Sequence, residues 1–145
     1  MKTPAAFISI VITALALAAP AGPYAHGPYT YIVEDNQATI TYFDRAYSGD
    51  LSITNELGGH PVALIDVKAF ADCTTLSSVT IPASVTNIDD YAFSNCTALT
   101  NILFLGNAPT PGRLVFSGTP ATIHYRPGTT GWKSTFADRP TQPVE

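Results

Sequence analysis

The 145-residue chain is poor in the groups that most chemistry needs. Charged residues make up only 12% of it, with seven Lys and Arg against eleven Asp and Glu. The basic residues are scattered, so the clustered positive surface required by nucleic acid or an anionic membrane is missing. Two cysteines are too few for a disulfide framework or a four-ligand zinc site. No Gly-rich phosphate loop and no GxSxG nucleophile elbow occurs. The three histidines, His26, His60 and His124, share no metal-ligand spacing. Catalytic, cofactor and metal sites are therefore expected to be absent, and the chain does not read as an enzyme.

Long apolar runs are also lacking after the N-terminus, so no later segment is expected to span a bilayer. At the N-terminus, Lys2 precedes an apolar run from Ala5 through Ala19, broken only by Ser9 and Thr13 and closed by Pro20. A positive charge, a short apolar stretch and clustered small residues form a secretory signal pattern. Residues 1–19 are read as a signal peptide, with cleavage after Ala18 or Ala19 and a less favoured alternative after Ala25. Loss of Lys2 would take the net charge from −4 to −5. No Cys stands just after the run, so a lipid anchor is not indicated.

What the chain does contain is a repeat of 23 residues. IDVKAFADCTTLSSVTI begins at Ile65 and IDDYAFSNCTALTNILF at Ile88. Seven pairs are identical, among them Phe70/Phe93, Cys73/Cys96 and Leu76/Leu99; Val79/Ile102 and Ile81/Phe104 are chemically alike. Weaker copies flank these. Leu51, Ile53 and Leu57 match Val79, Ile81 and Val85, with GGHPV (Gly58 to Val62) as an insertion. Phe116, Ile123 and Tyr125 replay Phe93, Ile102 and Phe104.

Val79-Thr80-Ile81 and Ile102-Leu103-Phe104 alternate in, out, in, the period of a strand. A short strand cannot bury its own apolar face, but stacked copies can, as a solenoid with ladders of like residues. The expected architecture is a leucine-rich-repeat β/α solenoid over residues 51–126. DVKAFADC and DDYAFSNC would each form one helical turn on the opposite wall. Residues 28–50 read as an N-terminal β cap, with strands Tyr29–Val33 and Ala38–Phe43 joined at Asp35-Asn36. Residues 127–140 read as a helical cap carrying Trp132 and Phe136 four apart, and 141–145 as a loose tail.

The run Ala69-Phe70-x-x-Cys73-x-x-Leu76-x-x-Val79-x-Ile81-Pro82 and its copy from Ala92 resemble the BspA-type bacterial leucine-rich repeat. Asn107-Ala-Pro109 and the ending from Tyr125 to Phe136 are similar to the way its short secreted members finish. The resemblance covers about Leu51 to Pro140 and implies a secreted or surface protein that binds other molecules. It also implies that Cys73 and Cys96 are core residues. Free buried thiols are thus favoured over a disulfide, although a secreted protein would permit one. The chain departs from the pattern in having Asp66 and Asp89 where Gly is usual, and in having few repeats. Stacked carboxylates at Asp66 and Asp89 invite a cation, but calcium takes six or more oxygens, and no metal is expected. Asn95-Cys96-Thr97 matches a glycosylation sequon only by accident, since it overlaps a core Cys.

Alternation assigns the outward strand face. Three rows are expected: Ser78, Asn101, Thr122; Thr80, Leu103, His124; and Pro82, Leu105, Arg126. Thr80, Leu103, Leu105, His124 and Arg126 form the candidate face for a protein or glycan partner. The alternative is a structural part of an extracellular or envelope assembly, with solenoid ends stacking on neighbours. The oligomeric state is left open.

Overall fold

The computed structural model describes residues 21–145; residues 1–19, read above as a signal peptide, lie outside the described residues. Thirteen strands follow one another there: β1 (Ala21–His26), β2 (Tyr29–Glu34), β3 (Gln37–Phe43), β4 (Gly49–Ser52), β5 (Glu56–Leu57), β6 (His60–Ile65), β7 (Leu76–Ile81), β8 (Asn87–Ile88), β9 (Asn101–Phe104), β10 (Thr110–Pro111), β11 (Thr122–Tyr125), β12 (Thr135–Phe136) and β13 (Arg139–Pro143). They make a solenoid of about four turns. One sheet runs β1-β2-β3-β6-β8-β10, with β5 hairpinned onto β6; the other runs β12-β13-β11-β9-β7-β4.

The repeat sets the register. Leu51 pairs with Val79, Val79 with Ile102, and Ile102 with Ile123 in parallel ladders. All four are buried, as an apolar residue at every second strand position requires. Down the axis runs a column of phenylalanines. Ring centroids are 4.6 Å apart for Phe43–Phe70, 4.8 Å for Phe70–Phe93 and 5.7 Å for Phe93–Phe116. Each ring belongs to a different coil, so the column ties the coils together along the core.

The expected helical turns do not form: no helix occurs among the described residues. The reason is local. Lys68 and Asp72 have φ of 58° and 62°, and Tyr91 and Asn95, one coil on, have 59° and 57°. A left-handed residue every four positions breaks a right-handed helix. The freed amides bond between coils instead. Phe70 N donates to Ala92 O at 2.8 Å and Phe93 N to Val115 O at 3.0 Å. The segment is thus a third wall of stacked turns.

Both caps are β. At the N-terminus, β2 and β3 pair from Tyr29↔Phe43 to Glu34↔Gln37 around Asp35 and Asn36. These have φ of 47° and 62°, the geometry of a tight two-residue hairpin. The sequence reading missed β1, which pairs antiparallel with β2 and is exposed along its whole length. The insertion at Gly58-Gly59 is the turn between β5 and β6.

The C-terminal cap is a hairpin, not a helix. Ala137 and Asp138, with φ of 46° and 63°, reverse the chain so that Phe136 pairs with Arg139. Phe136 then sits over Phe104 at 5.4 Å and Phe116 at 6.4 Å. Trp132 packs on Phe104 and stacks on Tyr125. The tail read as loose is paired through Pro143, with Thr141 beside Ile123 and Gln142 beside His124.

Candidate functional site

The parallel sheet β11-β9-β7-β4 carries the outward rows. Ser78 lies beside Asn101 and Asn101 beside Thr122; Thr80 lies beside Leu103 and Leu103 beside His124. Neighbouring strands are about 4.8 Å apart, so each row is continuous. Thr80, Leu103, Leu105 and His124 are half-buried, and Arg126 is exposed. Leu105 and Arg126 continue β9 and β11, their amides donating to Ile81 O and Phe104 O at 3.0 and 3.2 Å. The structure therefore brings the five candidate residues onto one face. Pro82, expected to front the third row, is buried instead.

Two shallow grooves share this face. One, of about 460 Å³, is lined by Asp50, Ser78, Thr80, Asn101, Leu103 and His124, with Val144 at its edge. The other, of about 510 Å³, holds Ser52, Thr54, Asn55, Ala83, Leu105 and Arg126. Leu103 and Leu105 are the apolar centre, and hydroxyls and amides surround them. A negative group stands on one side and positive charge on the other. Asp50 accepts from Ser78 Oγ at 2.6 Å and Ser77 Oγ at 3.0 Å. These hydroxyls, Ser78 first, hold its carboxyl below the usual carboxylate range.

Asp50, Ser52 and Val144 were not among the sequence candidates. Asp50 and Ser52 were legible: they flank Leu51, and Ser78 and Thr80 pair with them one coil on. Val144 had no such signal, because its place depends on β13 joining β11.

Other singled-out residues sit elsewhere. His26 ends β1, and His60 opens β6 with its Nδ1 buried and unpartnered. Among the described residues, no three His, Cys, Asp or Glu side chains gather as a metal site. Asp66 accepts from the Val67 amide at 2.8 Å. Burial, then the charges of Asp66 and Asp90, push the Asp89 carboxyl above its ordinary range. The next position in that column is Gly112, where an added Cβ would lie 2.5 Å from Asp90 N.

The cysteines lie in the core as free thiols. Cys96 Sγ donates to Phe70 O at 3.1 Å. One coil on, the Thr119 hydroxyl occupies the equivalent place and donates to Phe93 O at 2.6 Å. The Cys column thus continues as Thr, with the same bond to the preceding Phe carbonyl. The neighbouring Cys73 thiol, and then burial, push the Cys96 thiol up, which makes it a poor nucleophile.

Comparison with known proteins agrees with this geometry. The model of the BspA type leucine rich repeat region matches in six copies across residues 45–127, more than half of the chain. A leucine rich cell surface protein from Faecalibacterium prausnitzii A2-165 is similar with a TM-score of 0.59 and 32% identity, over 69% of this chain and 29% of that one. The chain thus spans less than a third of that protein's length. A leucine-rich repeat protein from Bacteroides capillosus ATCC 29799 gives a TM-score of 0.53 at 24% identity, over 70% of this chain and 96% of that one. The leucine rich repeat protein of T. pallidum gives 0.55 at 18%, over 72% and 71%. These last two share the fold. No curated protein matches the chain.

Proposed function

The chain belongs to the BspA-type leucine-rich-repeat family, and from that premise we propose that it is a secreted or surface-associated recognition module, non-catalytic, which binds a protein or glycan through its outward strand face. One observation carries the reading: Thr80, Leu103 and His124 stand side by side on three consecutive strands, with Leu105 and Arg126 sharing the adjoining groove. An apolar centre inside a polar rim is the usual anatomy of a recognition patch. Solenoids present such faces because the repeat places equivalent positions in rows. The relative from Faecalibacterium prausnitzii is described as a cell surface protein, which supports the location.

The test uses the purified chain as bait against cell-surface material, followed by binding of each captured partner to wild type and to a Leu103→Asp, Leu105→Asp double variant. The double variant is expected to lose binding while its melting midpoint stays near that of wild type. Full affinity in the folded double variant would remove this face as the site.

A further inference from the structure

The two ends of the solenoid are not equivalent. In the turn wall the amides point toward the C-terminal end and the carbonyls toward the N-terminal end. Lys68, Phe70 and Asp72 N donate to Asp90, Ala92 and Ser94 O at 3.1, 2.8 and 2.8 Å. Tyr91, Phe93 and Asn95 N donate in turn to Arg113, Val115 and Ser117 O at 3.0, 3.0 and 2.7 Å.

At the N-terminal end two of the three equivalent carbonyls, Ala69 O and Ala71 O but not Val67 O, are taken. Phe43 N donates to Ala69 O at 2.9 Å, and Arg45 Nε donates to Ala71 O at 2.8 Å. At the C-terminal end the equivalent amides are those of Leu114, Phe116 and Gly118. None of them donates to an acceptor among the described residues. The capping hairpin packs on the Phe116 ring but supplies no acceptor to this row. It also brings Arg139, whose Nη1 donates to Thr119 O at 2.9 Å while its buried Nε has no acceptor.

Two further features mark this end. Leu114 is 51% exposed, and β10 beside it is exposed at both residues. Charge is also divided along the chain. Residues 21–105 hold two basic and nine acidic side chains; residues 106–145 hold four basic and two acidic. Lys133 borders a groove against Thr110 and Pro111, and Arg139 borders another against Gly118 and Thr119. An unfilled donor row flanked by cations calls for an acceptor-rich, anionic occupant.

We propose that the C-terminal edge of the turn wall, Thr110 to Thr119, docks an acidic extended segment of a partner protein. Its carbonyl oxygens accept from the Leu114, Phe116 and Gly118 amides. Its carboxylates meet Lys133 and Arg139. A second copy of this chain fits less well, because two of the three turn-wall carbonyls at its own N-terminal end, Ala69 O and Ala71 O, are already occupied by Phe43 and Arg45. The edge lies on a different wall from Leu103 and Leu105, so its test is independent of that face.

The experiment is an amide NMR titration of the ¹⁵N-labelled chain with a capped hexapeptide of alternating Asp and Gly, and with the same peptide carrying Lys for Asp. The acidic peptide is expected to shift the Leu114, Phe116 and Gly118 amides and to slow their hydrogen exchange several-fold. The equivalent amides of Lys68, Phe70 and Asp72 should not respond. Added salt and Lys133→Glu should each weaken the effect several-fold. Absence of shifts at the three amides, or an equal response to the Lys peptide, would overturn the proposal. So would concentration-dependent assembly without peptide that perturbs the same amides, which would make a second copy the occupant.

Discussion

The Phe93 ring lies 4.8 Å from the Phe70 ring, with only 15° between their planes. Both are fully buried, and they sit 23 positions apart in the chain. Neighbouring coils therefore share one aromatic column. Phe93 is an inner member of the column, with Phe116 on the other side at 5.7 Å. Removing that ring opens a cavity that neither neighbour can fill without breaking its own contacts.

Phe93→Ala should cost about 3–5 kcal/mol, a large part of the roughly 5–15 kcal/mol that holds a domain together. Thr80→Ala, on the outward face, should change stability by about 0.5 kcal/mol or less. Denaturant melts of the two variants check this. Equal losses would contradict the core placement of Phe93.

The acid column has a pH signature. Asp89 has a raised pKa from burial and from its Asp66 and Asp90 neighbours, so the fold favours its protonated form. Its contribution to stability falls as pH rises from the unfolded value through the folded one. Asp90 behaves oppositely. The Arg113 amide at 2.7 Å, then the guanidinium, hold its carboxyl low, so its contribution is lost as pH falls from the unfolded value through that lowered one. Asp89→Asn should therefore raise the melting midpoint at neutral pH, with the gain shrinking as both proteins are acidified below the carboxylate range. Thermal melts across pH read this directly. A gain that persists undiminished in acid would refute the assignment.

The thiols should be silent in the native state. Cys73 and Cys96 are both fully buried, so a thiol reagent should modify them only after denaturant is added. Cys96→Thr, the residue used at the same place in the next coil as Thr119, should retain the fold with a loss of roughly 1 kcal/mol or less, comparable to one hydrogen bond. Rapid labelling of the folded chain would place the Cys column at the surface and falsify the packing described above.

The 23-residue repeat by itself determined the coil register, the Phe and Cys columns and the outward rows around Leu103. Strand alternation is a local property, and stacking equivalent positions leaves one way to bury them all. The N-terminal hairpin was legible apart from the repeat, because Asp35-Asn36 is a turn signal that needs no tertiary help. The tertiary structure decided the rest. DVKAFADC has the length and composition of a helical turn, yet its amides bond to the next coil, a partner that local propensity cannot see. Trp132 and Phe136 at a spacing of four suggest a helix, but both are placed by Phe104, and the chain reverses at Ala137-Asp138 to bring them there. The open amide row at Leu114, Phe116 and Gly118 belongs to the same class. It exists because a coil's donors are satisfied only by the coil that follows, and after the fourth turn the chain folds back as a hairpin instead.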